Sequence, residues 1–190
     1  MIFTGDCMKR KTAKEILSDS FQELAAEKSI DKITIRDITD NCGYSPATFY
    51  RNFKDKYDLI AWEYSRVVSD FFDKINVSGY EWKQTLSDAA VWFSSEKEYL
   101  ANLLQHTTGH DSFMRYMVEI NYTSLEKYIL AAVNKRSLTA MEKMTARTYC
   151  LGTVGITCEW ILGKVNASIG EISELYLNTV PDLLKKYLLN

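Results

Sequence analysis

Apolar residues recur three and four apart along nearly the whole chain, and the points where that rhythm stops divide it into helices. Ala13, Leu17, Phe21 and Leu24, with Ile16 and Ala25, mark one face of a helix that Thr12 and Glu15 open as a capping box and that runs to about Glu27. After the link from Lys28 to Ile33, Thr34 caps a second helix with Asp37 answering it, and Ile35, Ile38 and Cys42 line its buried face. Gly43 stops it, because glycine takes the left-handed conformation at little cost. Ser45 caps a third helix with Pro46 at its first position, where a missing N–H costs nothing, and Phe49 and Phe53 fall one turn apart on it.

Asp58 begins a fourth helix, apolar at Leu59, Ile60, Trp62, Val67, Phe71 and Phe72 and reaching about Ile75. Asn76 to Gly79 is a loop. Further helices follow from Trp82 to about Phe93, from Glu96 to about Gln105, and from Asp111 or Ser112 through Ile129. Lys135 to Thr139 is a polar break. A helix from about Ala140 to Val165 is apolar nearly all round in its second half, which suits a central or interfacial position, and Gly152 and Gly155 let another helix approach it closely. The last helix, about Glu171 to Leu188, contains Pro181, which should kink or interrupt it. The pattern predicts an all-α protein of about nine helices.

Composition narrows the picture. The chain has 190 residues, 46% hydrophobic and 13% aromatic, with two prolines and eight glycines, so it can bury a sizeable core and favours helices over a turn-rich β fold. The net charge of −2 excludes a surface that is basic all over, so any affinity for nucleic acid must come from a local patch. One such patch is the basic arm Lys9, Arg10, Lys11 and Lys14, which suits phosphates or a minor groove and equally suits a solvated tail. Cys7, Cys42, Cys150 and Cys158 lack a C-x-x-C spacing and read as reduced thiols of a cytoplasmic protein. The first residues lack the apolar run of a signal peptide, and no uncharged segment reaches membrane-spanning length.

The second and third helices carry the chemistry. Two short helices about a tight turn, the second rich in small and hydrogen-bonding side chains, form the helix-turn-helix pattern, although the same residues also suit any two-helix corner of a helical domain. In the first reading Ser45, Pro46, Ala47 and Thr48 face base edges: Thr48 as the hydrogen bonder, Pro46 and Ala47 through methyl contacts. Arg51 and Lys54 are helpers. Arg36 has the bidentate fork that pairs with guanine, or else it pairs with Asp40 one turn on.

Gly43-Tyr44-Ser45-Pro46-Ala47-Thr48-Phe49-Tyr50-Arg51-Asn52-Phe53, then Lys54-Asp55-Lys56 and Leu59, resembles the DNA-binding signature of the TetR family of transcriptional regulators, as does Ile33 to Ile38 before it. The resemblance covers about the first third of the chain. It implies a DNA-binding head over 9–56 and a ligand-binding and dimerisation body over 57–190. It assigns Thr34, Tyr50, Asn52 and Lys56 to phosphates, with Phe49 and Phe53 as core. Gly155 to Gly163, followed by Ser168 and Glu171-Ile172, is loosely similar to regulators related to the dihydroxyacetone-kinase operon activator, which leaves activation and repression both open.

The expected partners are a double-stranded DNA operator with inverted repeats, a second copy of the chain joined through the last two helices, and a small-molecule effector. The intersubunit apolar surface is read as Leu175, Tyr176, Leu183 and Tyr187 on one helix and Val154, Ile156 and Ile161 on the other. Trp92, Phe93, Tyr99, His106, Phe113, Tyr116, Met117, Tyr122 and Trp160 offer aromatic area with polar tips to an effector pocket, and each equally suits plain core packing. The alternative is a head controlled by a protein partner over a body without a pocket. His106 and His110 lie four apart, but Gly109 weakens a helix between them and no third ligand follows, so neither a metal nor a cofactor is expected. No nucleophile elbow, phosphate loop or Cys–His arrangement points to an enzyme.

Overall fold

The computed structural model describes residues 10–75, 77, 79–109, 112–133 and 136–189. Among these it contains ten α-helices, one 3-10 turn and no strand. They form two compact units, 1–59 and 60–190.

The first unit is the head. It comprises α1 (Ala13–Ala25), the 3-10 turn Ile30–Lys32, α2 (Ile35–Cys42), α3 (Pro46–Asn52) and the first turn of α4 (Lys56–Lys74). The capping boxes at Thr12/Glu15 and Thr34/Asp37 both form. Gly43 stands at φ 72°, in the left-handed region that favours glycine, so α2 stops there and the chain turns into α3. Leu17, Phe21, Ile30, Ile33, Ile38, Phe49 and Phe53 bury themselves in one core. Polar ties fix α1 to α2. Ser20 Oγ donates to the Ile38 carbonyl at 2.7 Å, and Asn41 Nδ2 donates to Ser20 Oγ at 3.0 Å and to Glu23 at 2.9 Å.

The second unit is the body, built from the rest of α4 with α5 (Trp82–Ser95), α6 (Lys97–His106), α7 (Phe113–Ala132), α8 (Ala140–Ile161), α9 (Ile169–Asn178) and α10 (Asp182–Leu188). α8 packs against α5, α6, α7 and α10, and α5 also lies along α9. Capping boxes at Thr139/Glu142 and Ser168/Glu171 set the starts of α8 and α9. Glu142 is buried and holds α10 as well. Its carboxylate accepts the Tyr187 hydroxyl at 2.6 Å and pairs with Lys186 at 3.6 Å.

Three boundaries differ from the sequence pattern. The last predicted helix is two, because Pro181 brings no N–H and its ring blocks the preceding turn; α9 ends at Asn178 and α10 starts at Asp182. α8 ends at Ile161 rather than Val165, since Gly163 at φ 72° redirects the chain and Trp160 Nε1 donates to the Ala167 carbonyl at 2.8 Å across the loop. The link between α1 and α2 contains a 3-10 turn that the apolar pattern is too short to reveal.

Candidate nucleic-acid interface and body cavity

α3 is anchored from beneath and bare on top. Phe49 is fully buried and Phe53 nearly so, their ring centroids 5.7 Å apart, while Lys14 Nζ lies 5.1 Å above the Phe53 ring. The opposite side presents Ser45, Pro46, Ala47, Tyr50 and Arg51 to solvent, with Thr48 half-buried between them. Ser45 Oγ accepts the Thr48 N–H at 3.2 Å, which satisfies one of the free donors of the helix start. The hydroxyls of Ser45 and Thr48 are 3.1 Å apart, and Arg51 Nη2 donates to Thr48 Oγ1 at 3.1 Å. These three side chains form one exposed hydrogen-bonding chain along the first two turns. Small residues at Pro46 and Ala47 leave the backbone beside it open to close approach.

Other predicted contacts divide by exposure. Thr34, Arg36 and Lys54 are exposed. Arg36 pairs with Asp40 at 3.4 Å, the i,i+4 alternative seen in the sequence, but the guanidinium is 86% exposed, so this pair contributes little and does not hold it back. Asn52 Nδ2 turns inward and donates to the Thr48 carbonyl at 2.8 Å. Lys56 also turns inward. Its ammonium donates to the carbonyls of Ile30, Asp31 and Ile33 at 2.8, 3.2 and 2.9 Å, caging the 3-10 turn. In the basic arm, Lys11 pairs with Asp19 at 2.5 Å, Lys14 belongs to α1 itself, and Lys9 lies outside the described residues.

The body has an apolar cavity of about 80 Å³ between α4, α5, α7, α8 and α9. Phe71, Phe72, Trp82, Leu86, Trp92 and Phe93 supply most of its aromatic and aliphatic wall. Its hydroxyl and amide groups are those of Tyr64, Thr85, Asn121, Tyr149, Thr153, Thr157 and Tyr176, beside the indoles of Trp82 and Trp92, and no lining side chain is charged. Most of them are already satisfied. Thr85 donates to the Glu81 carbonyl, Tyr149 to that of Tyr176 at 2.9 Å, Thr153 to that of Tyr149, and Thr157 both donates to Thr153 and meets the Tyr176 hydroxyl. Burial pushes the Cys150 thiol up to about 12, so this lining cysteine is an inert small hydrophobe rather than a nucleophile.

The sequence model of the family described as bacterial regulatory proteins, tetR family, matches residues 22–61, the stretch that contains α2, the Gly43 turn and α3. Residues 22–61 are thus a tetR-family segment. An uncharacterised HTH-type transcriptional regulator of Haemophilus influenzae is 35% identical over 51 residues, which is 27% of this chain and 25% of that protein, so the match spans about a quarter of the relative.

Solved structures extend the likeness to the whole chain at the level of fold. The dihydroxyacetone kinase operon activator DhaS has a TM-score of 0.64 at 17% identity, with 93% of this chain and 98% of that one covered. A TetR regulator from Rhodococcus sp. RHA1 gives 0.66 at 15% with the same coverage. The FadR repressor of Thermus thermophilus, solved with lauroyl-CoA, gives 0.62 at 14% over 88% of this chain and 92% of that one.

Only Trp92 and Phe93, of the nine residues proposed from sequence, line the cavity. Tyr99 and Phe113 stand at a separate space of about 10 Å³, where the buried Tyr99 hydroxyl donates to Glu63 at 2.8 Å. Met117 is core, in contact with Cys158; Trp160 is taken by the loop after α8; Tyr122 lies under the Arg147 guanidinium. Tyr116 is half-buried away from the cavity, His106 is exposed at the end of α6, and His110 is outside the described residues. The walls that sequence reasoning missed come mainly from Tyr64 to Phe72 on α4 and Tyr149 to Thr157 on α8. Their signal was present as an apolar excess, but nothing in a one-dimensional pattern says which apolar face borders a void.

Proposed function

We propose that this tetR-family protein is a homodimeric transcriptional regulator whose grip on an operator is adjusted by a small molecule in the body. The observation that carries the reading is α3: its start is exposed and hydrogen-bonding at Ser45, Thr48 and Arg51, and its other side is locked into the head by Phe49 and Phe53. A helix so anchored can enter a major groove without rearranging. Ser45 and Thr48 face base edges there with Pro46 and Ala47 in methyl contact, Arg36 pairs with a guanine beside them, Thr34 and Tyr50 hold phosphates, and Arg51 and Lys54 help. Asn52 and Lys56 act on the DNA by fixing backbone within the head, since both are turned inward.

Dimerisation is supported by a stripe on α8. Met141, Met144, Thr148 and Leu151 are exposed at helical spacing, and among the described residues nothing beyond the helix's own backbone and the chain neighbours lies within 4 Å of a Cβ built on Gly152 or Gly155, which leaves room there for the close approach of a second copy. Leu175 on α9 and Leu183 on α10 are also exposed. Of the other residues assigned to this interface from sequence, Tyr176, Tyr187, Val154 and Ile161 are buried within the chain and Ile156 is half-buried. A two-fold dimer matches an inverted repeat, with reading helices about 34–36 Å apart.

Ligand control is supported by the cavity, and its effect on DNA affinity is bounded by the ligand's preference for one of two states. The test is selection of bound fragments from genomic DNA, followed by footprinting and titration in salt. An inverted repeat should emerge, and inserting five base pairs between half-sites, about half a turn, should abolish tight binding and leave weak salt-sensitive binding. Full affinity after that insertion would mean independent heads.

A further inference from the structure

The polar groups of the body cavity are unbalanced toward donors. The Trp82 side chain is 5% exposed, and its indole N–H is buried without a hydrogen-bond partner among the described residues. The Tyr149 hydroxyl lies beside it; burial pushes that hydroxyl up and the indole holds it partly down, yet the two do not meet hydrogen-bond geometry. The Tyr64 hydroxyl accepts Asn121 Nδ2 at 2.7 Å, which leaves its own proton to be given away. The remaining hydroxyls donate to backbone carbonyls or to one another. A buried donor without an acceptor is costly, and a bound acceptor recovers that cost.

Charge and size restrict the occupant further. No lining side chain carries a charge, so an anion would lose its hydration with nothing to replace it. A volume of about 80 Å³ admits several waters or a compact organic molecule. It is about half of the roughly 150 Å³ in which an apolar cavity holds benzene, so the ligand has roughly three or four heavy atoms. An acyl-CoA such as the one bound by the Thermus thermophilus relative fails on both counts.

We propose that the effector is a small neutral molecule, largely apolar, that presents a carbonyl or ether oxygen to Trp82 Nε1 and the Tyr64 hydroxyl. This rests on the regulator reading for its consequence but not for its chemistry. Phe71 and Phe72, half-exposed on α4, are the rings such a molecule passes to enter. The oxygen fills the site of the missing acceptor, and the hydrocarbon part lies against Trp92, Phe93 and Leu86.

The test uses the full-length protein and three small probes of similar size: acetone, isobutane and acetate. Binding is read directly by tryptophan emission and by chemical shifts of the indole N–H. Acetone should bind saturably and move the Trp82 indole resonance, isobutane should bind about 3–10-fold more weakly, and acetate should show no saturable binding. Tyr64→Phe keeps the ring and removes one donor, so it should weaken acetone about 3–10-fold and leave isobutane unchanged. Trp82→Phe removes a donor together with part of the ring, so it should lower the ratio of acetone to isobutane affinity about 3–10-fold. Acetate binding as well as acetone, equal binding of isobutane, insensitivity of that ratio to both variants, or no binding of any probe would each overturn the assignment. DNA affinity measured in parallel separates the two readings. Loss of operator binding with probe binding intact refutes the regulator and not the ligand chemistry, and operator binding without any probe binding does the reverse.

Discussion

Lys56 offers the sharpest test of how the head is built. The family resemblance assigns it to a phosphate, whereas its ammonium is held by the carbonyls of Ile30, Asp31 and Ile33. Lys56→Met keeps the aliphatic stem and removes all three bonds. Asp31 is exposed and its carbonyl returns to water, and the Ile30 carbonyl keeps the Ile33 N–H at 3.2 Å, but the carbonyl of the buried Ile33 loses its Lys56 donor. A buried acceptor left unpaired costs about 1–3 kcal/mol. The substitution also spares the desolvation of the ammonium, which burial registers by lowering its pKa against the opposing pull of Asp31. The net loss should be about 1–2 kcal/mol for the head.

If the head melts as its own unit, that loss lowers its Tm by roughly 4–8 °C for each kcal/mol. Thermal unfolding and amide exchange across the 3-10 turn and α2 would register it. Below the transition, the folded variant should bind operator with a salt slope changed by well under one unit, because no phosphate contact is lost. Unchanged stability together with a slope reduced by about one unit would refute the cage and return Lys56 to the phosphate.

Three further outcomes follow from the same geometry. Thr48→Ala removes the hydroxyl that links Ser45 to Arg51, so base preference at one operator position should relax by about 1–3 kcal/mol with the salt slope kept, as read by binding to single-base operator variants. Leu151→Glu places a charge on the exposed α8 stripe, and light scattering at micromolar concentration should show monomers that retain helix content. Hydrogen bonds to the carboxylates lower the pKa of Asp37 through Thr34, of Glu171 through Ser168 and of Glu119 through Arg147. Their contribution is complete above the unfolded values near about 4 and is lost as pH falls through the lower folded ones, so Tm should be flat from about pH 5 to 7 and drop below about pH 4, less steeply in Ser168→Ala.

The sequence by itself determined the helices and the kind of head. Capping boxes at Thr12 and Thr34, the stop at Gly43 and the start at Ser45-Pro46 are local chemistry, fixed by neighbours within four residues, and all were legible. The exposed set on α3 was legible for the same reason, since Phe49 and Phe53 name the buried side and helical geometry assigns the rest. Tertiary structure decided everything that depends on what a face meets. Lys56 and Asn52 match phosphate positions in the sequence resemblance, and only the fold shows the carbonyls brought to them across the head and along α3. Val154 and Ile161 read as interface as readily as Leu175 and Leu183, and only packing shows that the first pair is already covered. The cavity is the extreme case. It is a deficit of atoms between α4, α5, α7, α8 and α9, and hydrophobic periodicity records which residues are buried without recording whether the space beyond them is filled.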